Sequence, residues 1–201
     1  MFYGCLVLGG CSYKLLAHLT AGKRDRDVLR KLPIDEYLQY FSTMSMHEFG
    51  NHTDSFVQGS ASGIVCILCS FRSIFPSTGQ EYDSVFIILN RMIESPVNLT
   101  VFVNAVCAVS QMLLHTFQTA EEMSAVKSAL KAGIWSLFVD MFQNGHSLLH
   151  EHRSAQVAAI ISLMYLSQHT ELLSPKSIEV LEMILRPEWK HVHLFAVACV
   201  W

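Results

Sequence analysis

The chain has 201 residues, 51% of them hydrophobic and 15% charged, with a net charge of −3. That supplies a sizeable core with fewer charges than the roughly 25% usual in soluble domains, so the chain either buries an unusual share of itself or keeps apolar surface for a partner. The clustered basic residues Lys23, Arg24, Arg26, Arg30 and Lys31 are interleaved with Asp25 and Asp27, which excludes the basic stripe that nucleic-acid binding needs.

In chain order, the first eleven residues are apolar but lack a basic residue before Lys14, so they do not read as a secretory signal. They read instead as a helix that begins in the middle of a structural unit. Residues 34–41 form the next predicted helix, with Asp35 and Glu36 at its start, where they favour the helix dipole. A long polar insertion is expected over 42–56. The helix after it carries Gly59-Ser-Ala-Ser-Gly63 and Cys66-Ile-Leu-Cys69. The glycines are expected to let helices approach closely. They have no preceding strand and no Lys-Ser/Thr pair for a phosphate loop, and the residue midway between them is Ala61 rather than the Ser of a nucleophile elbow. The cysteine pair sits within an apolar helix, where a thiolate is poorly stabilised, so it reads as buried small hydrophobes.

Residues 85–93 predict another helix, followed by an apolar one over 101–114 that Asn104, Ser110 and Gln111 interrupt. No uninterrupted apolar run reaches the ~18 residues of a membrane span. Thr119-Ala-Glu-Glu122 is a capping box that opens a helix running to Lys131, and Gly133 ends it. Ile134, Leu137, Phe138 and Met141 then form one apolar helical stripe, stopped by Gln143-Asn-Gly145. A polar, His-rich connection leads to a helix over 154–167, apolar nearly all round and so expected to be buried between neighbouring units. Two more apolar segments follow, at 177–185 and 193–201.

The helices at 34–41, 85–93, 134–142 and 177–185 are copies of one element. Counted from Ile34, Val85, Ile134 and Ile178, they recur at offsets of 51, 49 and 44 residues. Recurrence at such a period marks a helical solenoid. The expected units are 1–22 (partial), 23–75, 76–116, 117–168 and 169–201 (partial), within a single domain spanning 1–201. Each unit reads as a short first helix, a second helix and a longer third helix.

Ala129-Leu-Lys-Ala-Gly-Ile-Trp-Ser-Leu-Phe-Val-Asp-Met-Phe142 resembles the armadillo-repeat pattern ALxxGxxxxLVxLL, and Ala158-Ala-Ile-Ile-Ser-Leu-Met-Tyr-Leu-Ser167 resembles the third helix of that repeat. The likeness is clearest over 119–167, and HEAT-type repeats produce a similar pattern. It implies a right-handed all-α superhelix of about four repeats, with the third helices lining a concave face. Peptide-binding armadillo proteins carry an Asn near the end of the third helix and a Trp beside it. The matching positions here hold Ser70, Gln111 and Tyr165, and Cys66, Cys107 and Ile161. Only Gln111 imitates the Asn, so capture of an extended peptide of the nuclear-import kind is not implied.

Among candidates for chemistry, His146 and His150 have the i, i+4 spacing of a zinc pair, with Glu151 and His152 beside them. Glu151 lies outside the pair, unlike the zinc-protease arrangement, and a solvated connection accounts for the cluster. No cofactor, metal or catalytic residue is therefore expected. Six cysteines, four of them deep in apolar runs, suit free thiols in a reducing compartment, cytoplasmic or nuclear. The sequons at Asn51 and Asn98 are then expected to stay unmodified.

The expected function is a non-catalytic protein-interaction scaffold, or a segment of a larger one, with exposed Gln111 and Tyr165 on the concave face as partner contacts. The apolar stretches 1–8 and 193–201 imply a piece of a longer solenoid, or ends covered by self-association or by another chain. The alternatives are a structural helical subunit buried in a larger assembly, a metal-dependent enzyme using His146, His150 and His152, and a membrane-associated protein anchored by residues 1–19.

Overall fold

The structure is a computed structural model that describes residues 34–47, 54–74, 82–116 and 122–169. Among the described residues there are eight helices and no strands. They are α1 (Ile34–Met46), α2 (Asp54–Ile74), α3 (Asp83–Glu94), α4 (Leu99–Thr116), α5 (Glu122–Lys131), α6 (Ile134–Gln143), α7 (Ser147–Glu151) and α8 (Arg153–Ser167). The chain is thus all-α. The fourth repeat copy at 177–185, the apolar ends and the cap Thr119 lie outside the described residues.

α4 is the centre of the structure. It packs against α2, α8, α3 and α5, while α3 also touches α1, α5 and α6. Its contacts with α2 climb in step: Gly59 meets Thr100, Gly63 meets Asn104, and Cys66 meets Gln111. α2 and α4 are therefore parallel. The same holds for α4 and α8, since Phe102 meets His146 just ahead of α8 and Thr116 lies beside Tyr165 near its end. Three parallel helices thus stand in a row, α2–α4–α8, with the other helices connecting and backing them. The core is continuous across the row: Ile64 and Leu68, Phe102, Val106 and Met112, and Ile160 and Leu163 are all buried in one cluster.

Local chemistry explains most element boundaries. Gly133 (φ 82°) and Gly145 (φ 63°) take the left-handed conformation that ends α5 and α6 at the positions the sequence indicates. Asn98 caps α4, accepting the Val101 N–H at 3.0 Å.

Two expectations are corrected. α1 does not stop at residue 41 but runs to Met46, so the expected polar insertion over 42–56 is in part helix. Its hydroxyls are satisfied by the helix itself: Ser42 and Thr43 donate to the Gln39 carbonyl and Ser45 to that of Ser42, at 2.7–2.9 Å. The His-rich connection contains the short helix α7, whose Leu149 is fully buried. α4 is also the one described helix long and apolar enough, by length and composition, to cross a membrane, although Asn104, Ser110 and Gln111 break its apolar run; 56% of it is buried within the protein.

Candidate functional site

The two junctions along the row differ. At the α2–α4 junction, a Cβ built on Gly59 would stand 3.1 Å from the Thr100 methyl, so glycine here lets the Thr100 side chain pack directly on the α2 backbone. Asn104 donates from Nδ2 to Ser62 Oγ at 2.8 Å and to the Gly59 carbonyl at 3.3 Å. Gln58 donates to the His47 carbonyl at 2.7 Å and accepts from Asn98 Nδ2 at 2.8 Å. The expected close approach is found at Gly59, whereas a Cβ on Gly63 would meet Asn104 only at an ordinary 3.8 Å. The amide nitrogen of Asn98, where a glycan would attach, is held in the same seam.

The α4–α8 junction is open. Between the helices lies a cavity of about 450 Å³ lined by Cys107, Ser110, Gln111, Arg153, Ser154, Val157, Ala158 and Ile161. Counting from the aligned pair Cys66 and Ile161, the α8 counterparts of Ser62 and Gly63 are Val157 and Ala158. Where α2 offers glycine to α4, α8 offers Ser154, Val157, Ala158 and Ile161 along the groove and no glycine. The floor is apolar and Ser110 is buried, whereas Arg153 is exposed at one end and Gln111 half-buried on the α4 side. Arg153 is the one charged residue among the lining residues.

Three cysteines border this region, all of them free. Burial pushes the Cys66 thiol up to about 12, with nearby Cys107 adding to the effect. Burial also pushes up Cys69 and Cys107. Cys66 donates to Gln111 Oε1 at 3.6 Å, a weak thiol hydrogen bond that ties Gln111 to the seam side of α4. These thiols stay protonated at neutral pH and are poor nucleophiles, as their apolar helical setting implies.

Gln111, Cys66, Cys107 and Ile161, aligned from sequence alone, are brought together on this row. Tyr165 is not an exposed contact. It is only 4% exposed, beside Thr116 and Glu122, with its ring 5.9 Å from that of His169. Burial, followed by the neighbouring Glu122 carboxylate, pushes its phenol up. His169 in turn lies 3.3 Å from Glu122. Tyr165 is turned inward because α8 is apolar on nearly every face, so hydropathy cannot show which face looks out. Ser70 lies on α2, but its side chain is outside the described ones.

The histidines are not gathered for metal binding. His146 stacks on Phe102 at 5.7 Å with an 18° interplanar angle, whereas His150 is exposed. Among the described residues, no group of three or more His, Cys, Asp or Glu side chains could hold a metal ion.

Arg153, Ser154, Val157 and Ala158 were not singled out as site residues from sequence. The available signal was Arg153, a lone charge at the start of a nearly all-apolar helix. The fold and groove define an all-helical protein with an open inter-helical groove. No family model matches the chain, and neither a curated protein nor a solved structure matches it.

Proposed function

We propose that this chain is part of a right-handed, armadillo-like helical-repeat scaffold that binds a protein partner in the α4–α8 groove. The observation that carries this reading is the groove itself, an open, largely apolar cavity of about 450 Å³ on a row of parallel helices. The row supports the repeat reading, because successive long helices contact their neighbours at offsets of 41–49 residues, near the period of the sequence. Free thiols at Cys66, Cys69 and Cys107 support an intracellular setting. α4 is read as a core helix of the scaffold, because its polar residues Asn104 and Gln111 find partners on α2.

A photo-crosslinking residue at Gln111 tests the function. The full chain so labelled is expected to form a discrete adduct with a protein in cell extract, and the same label at exposed Glu94 on α3 is expected to form none. Equal adducts from both positions, or none from either, would count against the groove.

A further inference from the structure

We infer that Cys66 on α2 and Cys107 on α4 form an oxidative modification site, which hydrogen peroxide closes into a disulfide that ties α2 to α4 beside the groove. The inference stands on the α2–α4 seam and holds whatever the groove binds.

The argument is one of register. α2 and α4 are parallel, and a Cβ built on Gly59 would stand 3.5 Å from the Cβ of Thr100. Cys66 and Cys107 each stand seven residues further on, about two turns or ~10.5 Å along each helix. They therefore occupy the same facing positions as Gly59 and Thr100. A disulfide needs its two Cβ atoms about 3.5–4.5 Å apart. The helices still touch at this level, because the Cys66 thiol donates to Gln111 Oε1, one turn beyond Cys107, at 3.6 Å. Cys107 is also near enough to add to the upward push that burial gives the Cys66 thiol. Cys69 is the poorer partner for Cys66. It follows by three residues on one helix, where Cβ atoms lie about 5–6 Å apart, too far for a bridge unless α2 breaks. It is also fully buried, whereas Cys66 and Cys107 are half-buried and Cys107 lines the groove.

Peroxide is small enough to enter from the groove, so Cys107 reacts first. Its thiolate attacks one peroxide oxygen and the O–O bond breaks. This leaves a sulfenic acid on Cys107 and a hydroxide that takes up the thiol proton as water. The Cys66 thiolate then attacks the Cys107 sulfur, the S–O bond breaks, and the departing hydroxide leaves as a second water with the Cys66 proton. Two thiols and one peroxide thus give one disulfide and two waters, with both sulfurs oxidised and the peroxide reduced. Burial keeps the thiolate fraction small, so the bond forms slowly. The Cys66 proton is the one that Gln111 accepts, so oxidation also takes a hydrogen bond from a residue lining the groove.

The test is treatment of the purified full chain with hydrogen peroxide, natively and in concentrated urea. Remaining thiols are then blocked with N-ethylmaleimide, and unreduced tryptic peptides are mapped by mass spectrometry. A Cys66–Cys107 bridge is expected to exceed every other cysteine pairing at least tenfold in the native chain and to lose that lead in urea. Cys69→Ala is expected to keep the bridge and Cys66→Ala to abolish it, with helical circular dichroism unchanged. The comparison with urea needs no variant, so it decides the matter even where a variant fails to fold. A Cys66–Cys69 bridge, a bridge from Cys107 to any other cysteine, or sulfinic acid on Cys107 beside a free Cys66 would overturn the inference. So would a bridge as abundant in urea as natively, or no bridge at all.

Discussion

The α2–α4 seam and the α4–α8 groove are neighbouring junctions of one row that share the Cys107 and Gln111 side of α4, yet one is closed and the other open. The seam has Gly59 against Thr100, Asn104 bonded to Ser62, and Asn98 bonded to Gln58. The groove has Val157, Ala158 and Ile161 opposite Cys107 and Gln111. The seam has a glycine at its tightest contact, whereas no glycine lines the groove. Polar side chains then lock the approach that glycine permits, since each hydrogen bond across a closed seam satisfies a group that would otherwise lose water.

Because α4 belongs to both junctions, damage to its core should erase the contrast. Phe102 is fully buried and stacks on His146. Phe102→Ala is expected to cost about 3–5 kcal/mol in urea unfolding, the range for an aromatic removed from a core. A cost below ~1 kcal/mol would mean that α4 is not the common support.

A sharper pair separates the junctions. Gly59→Val should destabilise by about 1–3 kcal/mol, because even its Cβ meets Thr100 at 3.1 Å. Ala158→Val, into the open cavity, should stay within ~0.5 kcal/mol. Equal costs would show that the two junctions are packed alike.

The thiols give a pH-dependent version of the same contrast. Their folded-state pKa values are raised, so their contribution is fully present below the ordinary value of 9.0 and is lost as pH rises towards about 12 for Cys66. Stability should therefore fall from pH 9 upward, by about 1.4 kcal/mol per pH unit for each thiol still protonated in the folded state. Cys66→Ala and Cys69→Ala should flatten that fall in melting temperature measured across pH 8–11.

The smallest effect is expected away from the row. Asp83 pairs with Lys131 and is held below its ordinary 3.8, by the Lys131 hydrogen bond first and by Ser128 next. A depressed carboxylate stabilises the fold above its unfolded value and loses that contribution as pH falls below about 4. The pair is solvent-exposed, so Asp83→Asn should lower the melting temperature at pH 7 only slightly and have no effect at pH 2.

The sequence made the helix ends around α5 and α6 legible because Gly133 and Gly145 are needed there for positive φ. It made the seam legible in Gly59. The extension of α1 to Met46 was hidden because serine and threonine read as a loop until their hydroxyls are seen to bond back to the helix. The orientation of Tyr165 was hidden because a helix that is apolar all round has no phase. The groove was hidden because it depends on which residues of two helices face each other across a junction, and no single helix contains that information.

The most direct measurement is peptide-resolved maleimide labelling of the native chain at pH 8, with the rates of Cys107 and Cys69 compared. Cys107 lines the open groove, whereas Cys69 is fully buried. Cys107 is expected to react first, and Cys69 only after unfolding. Equal native rates, or Cys69 ahead of Cys107, would contradict an open α4–α8 groove beside a closed α2–α4 seam.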